Sequence, residues 1–197
     1  PEHVETVEFV RGVKVYRLAN RGYAWPFGGT SRSLWQRSFW QLKERWNREV
    51  AERVGKIFDN ERPDAVSTHG LSGFSASVWR EVKRRGIRLV HTTHDYYAVC
   101  ARQTLFRSGK MCTRRCLGCR LITKPRLKES TKIDALISVS RRTLEINKQF
   151  GAFKGVPSHV VFNVLPEAER FAARSARVKN ETVVFGFIGL LDQKKGL

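Results

Sequence analysis

The sequence predicts an α/β domain built on a parallel sheet flanked by helices, and three observations carry that expectation. Asp64–Thr68, Ile87–Thr92, Asp134–Val139 and His159–Phe162 are short apolar runs of strand length, rich in β-branched residues. Segments of helical pattern separate them, and alternation of this kind implies βαβ units with right-handed crossovers. Hydrophobic residues make up 41% of the 197-residue chain, enough for a packed core and against global disorder.

Val4–Val10 and Val13–Leu18 flank Arg11-Gly12 and read as two strands joined by a tight turn. Asn20–Thr30, with Gly22, Pro26, Gly28 and Gly29, is a loop. Ser33 with Gln36 suits a capping box, and a single helix is expected from there to about Phe58. Trp35, Phe39, Leu42, Trp46, Val50, Val54 and Ile57 form its apolar stripe. Its other face pairs Glu44 with Arg48, Glu49 with Arg53 and Glu52 with Lys56, a solvated pattern. The stripe either packs on the core or lies on an anionic membrane.

The strand at Asp64 ends at His69-Gly70, and a helix over Phe74–Arg85 turns Val78, Trp79 and Val82 inward. The strand at Ile87 delivers His94 and Asp95 to its C-terminal tip. A long basic loop holding all four cysteines follows, then a short helix over Thr123–Lys132. Ser140 caps a helix over Arg141–Phe150, and Asn163–Pro166 is a turn. Together these elements make a Rossmann-like domain over residues 1–166, with a charged linker at 167–180. Thr182–Ile188 and the turn after it read as the start of a second domain over 181–197. The chain begins on Pro1 and stops on Lys195-Gly196-Leu197, so both ends read as cut and a fragment is expected.

The formal charge of +19 points to an anionic partner: nucleic acid, an anionic membrane surface or a phosphate-bearing substrate. The alternative is a basic solvated surface, since the charge is dispersed. No run reaches the roughly 20 apolar residues of a membrane span, and no signal peptide is visible.

Ligands of open α/β sheets bind beyond the carboxyl ends of the strands, which directs attention to His94. Its neutral imidazole can hydrogen-bond a hydroxyl or orient a reacting centre; otherwise it caps its own loop. Asp95 either orients His94, acts on an acceptor hydroxyl, or makes a turn hydrogen bond. His69 and Gly70 end the neighbouring strand and face the same cleft, whereas His91 lies mid-strand and reads as structural. Cys100, Cys112, Cys116 and Cys119 end in a CxxC within one basic loop. A tetrahedral four-cysteine zinc site, free thiols and disulfides are the three readings, and a metal there would brace the loop without taking part in catalysis.

Several segments resemble glycosyltransferase family 4. Arg62-Pro63-Asp64 before a strand ending in His69 is similar to its RPDVVHxH pattern, and His94-Asp95-Tyr96-Tyr97 ends the next strand as in that family. Asp134-Ala135-Leu136-Ile137-Ser138-Val139-Ser140 resembles its D-x-hydrophobic-x-x-x-S segment, and Val161-Phe162-Asn163 its interdomain V-x-x-N. Gly186-Phe187-Ile188-Gly189 with Lys195-Gly196 resembles the turn that opens the nucleotide-binding half.

The resemblance implies the N-terminal half of a GT-B enzyme, with acceptor and donor domains facing across a cleft. It implies a retaining hexosyltransferase that moves a sugar from a nucleotide-diphosphate donor to a sugar or lipid-linked acceptor hydroxyl, with no metal needed for transfer. His94 and Asp95 would be catalytic, and His69, Gly70, Ser140 and Asn163 would bind substrate. Gly189, Lys195 and Gly196 would hold the donor diphosphate. Leu190 stands where the family places an arginine, and the family's first strand and glutamate-bearing motif are not in the sequence. The chain alone is therefore expected to be inactive. Polysaccharide or glycolipid assembly in the cytoplasm, at the inner face of a membrane, is the expected setting. The competing readings are a zinc-bearing basic nucleic-acid-binding module and a non-catalytic remnant of the same fold.

Overall fold

A computed structural model describes residues 5–19, 34–164 and 186, residues 34–38 by their backbone alone. The expected loop at 20–30, the cap at Ser33, the linker and the start of the second domain lie outside the described residues, as do Gly189, Leu190, Lys195 and Gly196. The centre is a parallel sheet of β3 (Ala65–Thr68), β4 (Arg88–Thr93), β7 (Ala135–Ser138) and β8 (Ser158–Val160), in that spatial order. Thr68 pairs with His91, His91 with Leu136, and Ser138 with Val160, so the carboxyl ends of all four strands share one edge.

Helices connect these strands as the alternation requires. Helix α3 (Ser77–Arg84) joins β3 to β4 and packs against β4, and α5 (Arg141–Gln149) joins β7 to β8 and packs against β7. Ser140 caps α5, its hydroxyl accepting from Thr143 N at 3.1 Å. Trp79 is the centre of the core. It meets His91, Tyr97 and Phe153 edge-on at centroid separations of 4.9, 6.4 and 6.2 Å. Leu89, Leu136, Val82 and Phe153 are fully buried around it. Burying a side chain of this size contributes about 1.5–3 kcal/mol, which makes this cluster the main support of the sheet.

The N-terminal hairpin is β1 (Thr6–Val10) and β2 (Val13–Arg17), antiparallel across Arg11 (φ 49°) and Gly12 (φ 80°). Two positive φ values in a two-residue loop are those of the hairpin turn whose twist matches its strands. The hairpin is tied by polar contacts to the single helix Arg48–Glu61, Lys14 to Glu61 at 2.5 Å and Glu5 to Arg53.

The structure corrects the single helix expected from Ser33 to Phe58. Two helices replace it, α1 (Leu34–Arg45) and α2 (Arg48–Glu61), and the break is made by Asn47. Its Oδ1 accepts from Val50 N, its Nδ2 donates to Gly73 O, and its own N–H donates to Ser75 Oγ. A short amide side chain offers the backbone partners that an uninterrupted helix would supply, so the chain turns there. The break also divides the expected stripe: Val50 and Val54 are buried, whereas Phe39 and Leu42 are exposed. Glu44, expected on the solvated face beside Arg48, is fully buried.

The cysteine loop is a folded strap between β4 and α4 (Leu117–Ser130). It contains a small antiparallel hairpin, β5 (Phe106–Arg107) and β6 (Lys110–Met111), turning at Ser108 (φ 50°) and Gly109 (φ 75°). Helix α4 starts six residues before the expected Thr123, because its inward residues are Thr123, Arg126, Glu129 and Ser130. A polar buried face leaves no apolar rhythm to read.

Candidate active site

Two strand tips meet at the carboxyl edge of the sheet. The residue after β3 is His69 and the residue after β4 is His94, and Nδ1 of the first lies 3.0 Å from Nε2 of the second. Their rings are tilted by 30° with centroids 5.3 Å apart, and both side chains are exposed. The contact needs one nitrogen to donate and the other to accept, so the two tautomers are linked. The outer nitrogens remain for a ligand. Gly70 adds an open position: a Cβ built there meets nothing within 4 Å.

The rest of the edge has a different character. Asp95 is half-buried and its carboxylate accepts from Tyr97 N at 2.8 Å, a local turn hydrogen bond. Burial pushes its pKa up, opposed by the Tyr97 N–H and by His94. The hydroxyl of Ser140 is occupied in capping α5. Asn163 is exposed, three residues past the end of β8, on the same edge as the histidines. Ser140 and Asn163 thus stand beyond the tips of β7 and β8, while direct side-chain contact joins His69 and His94.

Beneath the pair lies His91, buried against Phe153 in a stacked arrangement at 5.8 Å, with Thr68 Oγ1 3.0 Å from its Nδ1. Burial lowers its pKa to about 3, with His69 adding to the effect, so it is neutral at physiological pH. This is the structural role expected of a mid-strand histidine.

Three residues that frame the site carry no sequence signal. Arg126 of α4 is fully buried and stacks over the Tyr97 ring at 4.0 Å while donating to Tyr97 O at 2.9 Å. Glu44 of α1 lies 3.9 Å from it and accepts from Gly73 N at 2.8 Å. Asn147 of α5 donates to Asp95 O at 3.1 Å. Arg126 and Asn147 thus hold the backbone directly after His94, and Glu44 holds the loop that follows His69. An arginine in a basic helix and a glutamate at i,i+4 to an arginine look like surface residues, and nothing in their spacing marks them as buried.

Two cavities of about 330 and 390 Å³ lie between α2 and α3 and beneath the N-terminal hairpin, and neither is lined by His69 or His94. The histidines stand on an open edge, the form expected of one wall of a cleft. The strap that follows them brings thiols together. The side chains of Cys100 and Cys119 interact, which holds the Cys100 thiol low and helps push that of Cys119 up, and Cys116 interacts with Cys119 as well. All four cysteines are unbridged.

Residues 11–169 match Glycosyltransferase Family 4, and the chain belongs to that family. It is 25% identical over 185 residues to an "Uncharacterized 42.6 kDa protein in cps region" of Klebsiella pneumoniae, covering 94% of this chain and 48% of that protein. The chain spans about half the length of the curated relative it matches. No solved structure matches it. Among the described residues, no helix is long and apolar enough to cross a membrane.

Proposed function

We propose that the chain forms the acceptor side of a GT-B glycosyltransferase that moves a sugar from a nucleotide-diphosphate donor to an acceptor hydroxyl. The observation that carries this reading is the His69–His94 pair on the open carboxyl edge of the parallel sheet, within the segment matched by the family. An imidazole there hydrogen-bonds a sugar hydroxyl and orients the reacting centre, while its partner ring fixes its orientation. Gly189, Lys195 and Gly196 are proposed to take the diphosphate, Lys195 offsetting the charge that develops on the leaving group. Transfer with retention is part of the proposal. The cps-region relative supports polysaccharide or glycolipid assembly as the setting.

The surface supports a place of work at an anionic membrane. Phe39 and Leu42 on α1 and Leu117 and Leu121 on α4 are exposed, on helices that pack together, in a chain of net charge +19. Exposed apolar side chains among lysines and arginines suit insertion between anionic headgroups. Flotation with phosphatidylglycerol vesicles, lost in the Phe39→Asp, Leu42→Asp double variant, is the expected result.

The test of function is a screen of UDP- and GDP-sugars against the full-length protein by thermal shift and by transfer to lipid-linked and free sugar acceptors. Selective stabilisation by one donor, weakened by Lys195→Ala, and transfer lost in His94→Ala support the reading. Stabilisation by DNA or RNA with a steep salt dependence, and by no nucleotide-sugar, would overturn it in favour of nucleic-acid binding.

A further inference from the structure

The strap between β4 and α4 has the construction of a small metal-binding module. Cys100 lies at its start, the β5–β6 hairpin follows, Cys112 comes directly after the hairpin, and Cys116 and Cys119 occupy the N-cap and third position of α4. The chain's four cysteines are thus drawn from three separate pieces of backbone into one cluster.

Backbone amides are already aimed at the sulfurs. The N–H groups of Arg102, Thr104 and Leu105 are directed at Cys100, that of Ala101 at Cys119, and that of Cys119 at Cys116. In the same segment Gln103 and Leu105 stand at φ 65° and 51°, and their carbonyls accept from Tyr96 N and Cys112 N. N–H groups converging on sulfur are what a thiolate needs, and they orient ligands around a metal. The surroundings supply cationic charge as well, with Arg102, Lys110, Arg114 and Arg115 in the strap and Arg107 close to Cys112 and Cys116.

We propose that Cys100, Cys112, Cys116 and Cys119 bind one zinc ion as a structural tetrathiolate site that pins the strap to the first turn of α4. Binding exchanges four S–H bonds for four Zn–S bonds: Zn²⁺ and four thiols give a tetrathiolate complex of charge −2 and four protons, with no change of oxidation state. The residual charge is offset by the strap's arginines. In the side-chain orientations of the structure no three His, Cys, Asp or Glu among the described residues surround a metal position; the sulfurs contact one another. Metal binding replaces those S–H···S contacts while the N–H···S contacts persist. Cys116 is exposed and Cys112 half-exposed, so the outer pair is free to turn toward the inner.

The site lies outside the histidine edge, so its role is structural. The strap leaves the sheet at His94, and Tyr96 N donates to Gln103 O at 3.1 Å just inside the cysteine cluster. Gln103 Nε2 reaches Ser72 Oγ at 2.5 Å in the loop that follows His69. A metal that fixes Cys100 therefore steadies the loops behind both histidines.

The test is metal analysis of the chain purified under reducing conditions without chelator. About one zinc per chain is expected, with the thiols shielded from a thiol reagent until zinc is removed. Replacing zinc by Co²⁺ should give the intense sulfur-to-cobalt absorption of a tetrahedral tetrathiolate, and Cys112→Ser should weaken it without unfolding the chain. Should Cys100→Ser fail to fold, the cobalt spectrum and thiol protection of the unaltered chain still decide. Four freely reactive thiols in zinc-saturated protein would overturn the proposal. So would a mass deficit of two or four hydrogens from disulfides, or iron with acid-labile sulfide.

Discussion

The guanidinium of Arg126 lies flat over the ring of Tyr97, 4.0 Å from its centroid, with both side chains buried and Glu44 the nearest carboxylate at 3.9 Å. One cation thereby joins α1, α4 and the strap. Removing it takes away the charge that holds the Glu44 pKa down and the donor that satisfies the Tyr97 carbonyl, so Glu44 stays buried only by taking up a proton. Arg126→Ala should lose about 3–5 kcal/mol of stability in urea unfolding. The Glu44→Leu, Arg126→Leu double variant should recover most of that loss; full additivity of the two single losses would refute the coupling.

Glu44 gives the stability a pH dependence of defined sign. Burial raises its pKa from 4.5 to about 7, against the pull of Arg126 and the Gly73 N–H. The folded state thus holds a proton that the unfolded chain releases between those values, so this contribution is complete below about 4.5 and is lost as pH climbs to about 7. Glu44→Gln should gain on the unaltered chain by up to about 3 kcal/mol over that window, read by denaturant unfolding at a series of pH values.

His91 works in the opposite direction. Burial lowers its pKa from 6.5 to about 3, so the unfolded chain takes up a proton that the folded chain refuses. Its contribution is intact above about 6.5 and declines as pH falls toward 3. Between about pH 6.5 and about pH 5 the loss should be roughly 2 kcal/mol. A His91→Gln variant, however destabilised, should show a flatter acid limb; an unchanged slope would exclude the assignment.

The two edge histidines should separate activity from stability. Both are exposed, so His69→Ala and His94→Ala should change the unfolding free energy by no more than about 0.5 kcal/mol. In the full-length protein each should lower transfer at least about 100-fold, the scale of a positioned acid–base or orienting group. His69→Asn should retain more activity than His69→Ala, because an amide keeps a hydrogen-bonding partner for His94.

Asn47→Ala should cost about 2 kcal/mol, more than a surface cap, because the change also strands the Gly73 carbonyl. Asn47→Asp should restore the cap to Val50 N and still lose the donor to Gly73 O. A loss below about 0.5 kcal/mol in Asn47→Ala would show that the helix break has another cause.

The parallel strands are legible in the sequence because each is short and followed by a turn, and the two central ones, β4 and β7, are buried enough to read as continuous apolar runs. The same holds for His69 and His94, which topology must bring to neighbouring tips once β3 and β4 pair. The helix break at Asn47 is illegible because the apolar period passes through it unchanged, and only tertiary partners in the Gly73–Ser75 loop favour the cap. The β5–β6 hairpin has a signal in Ser108-Gly109, but two residues on each side are too few for alternation to show. Buried Arg126, Glu44 and Glu129 defeat any reading by composition, since charged side chains count as surface until their partners are known.

The two histidines are 25 positions apart and belong to consecutive strands joined by a single short helix. Closing so small a loop costs little chain entropy, and one β3–α3–β4 unit holds every backbone segment that sets their separation. During synthesis this unit leaves the ribosome before the strap, α4 or β7 exists. The geometry of the edge is accordingly written into one short stretch of chain and buttressed from outside it, and insertions in the later strap should alter ligand preference before they disturb the pair.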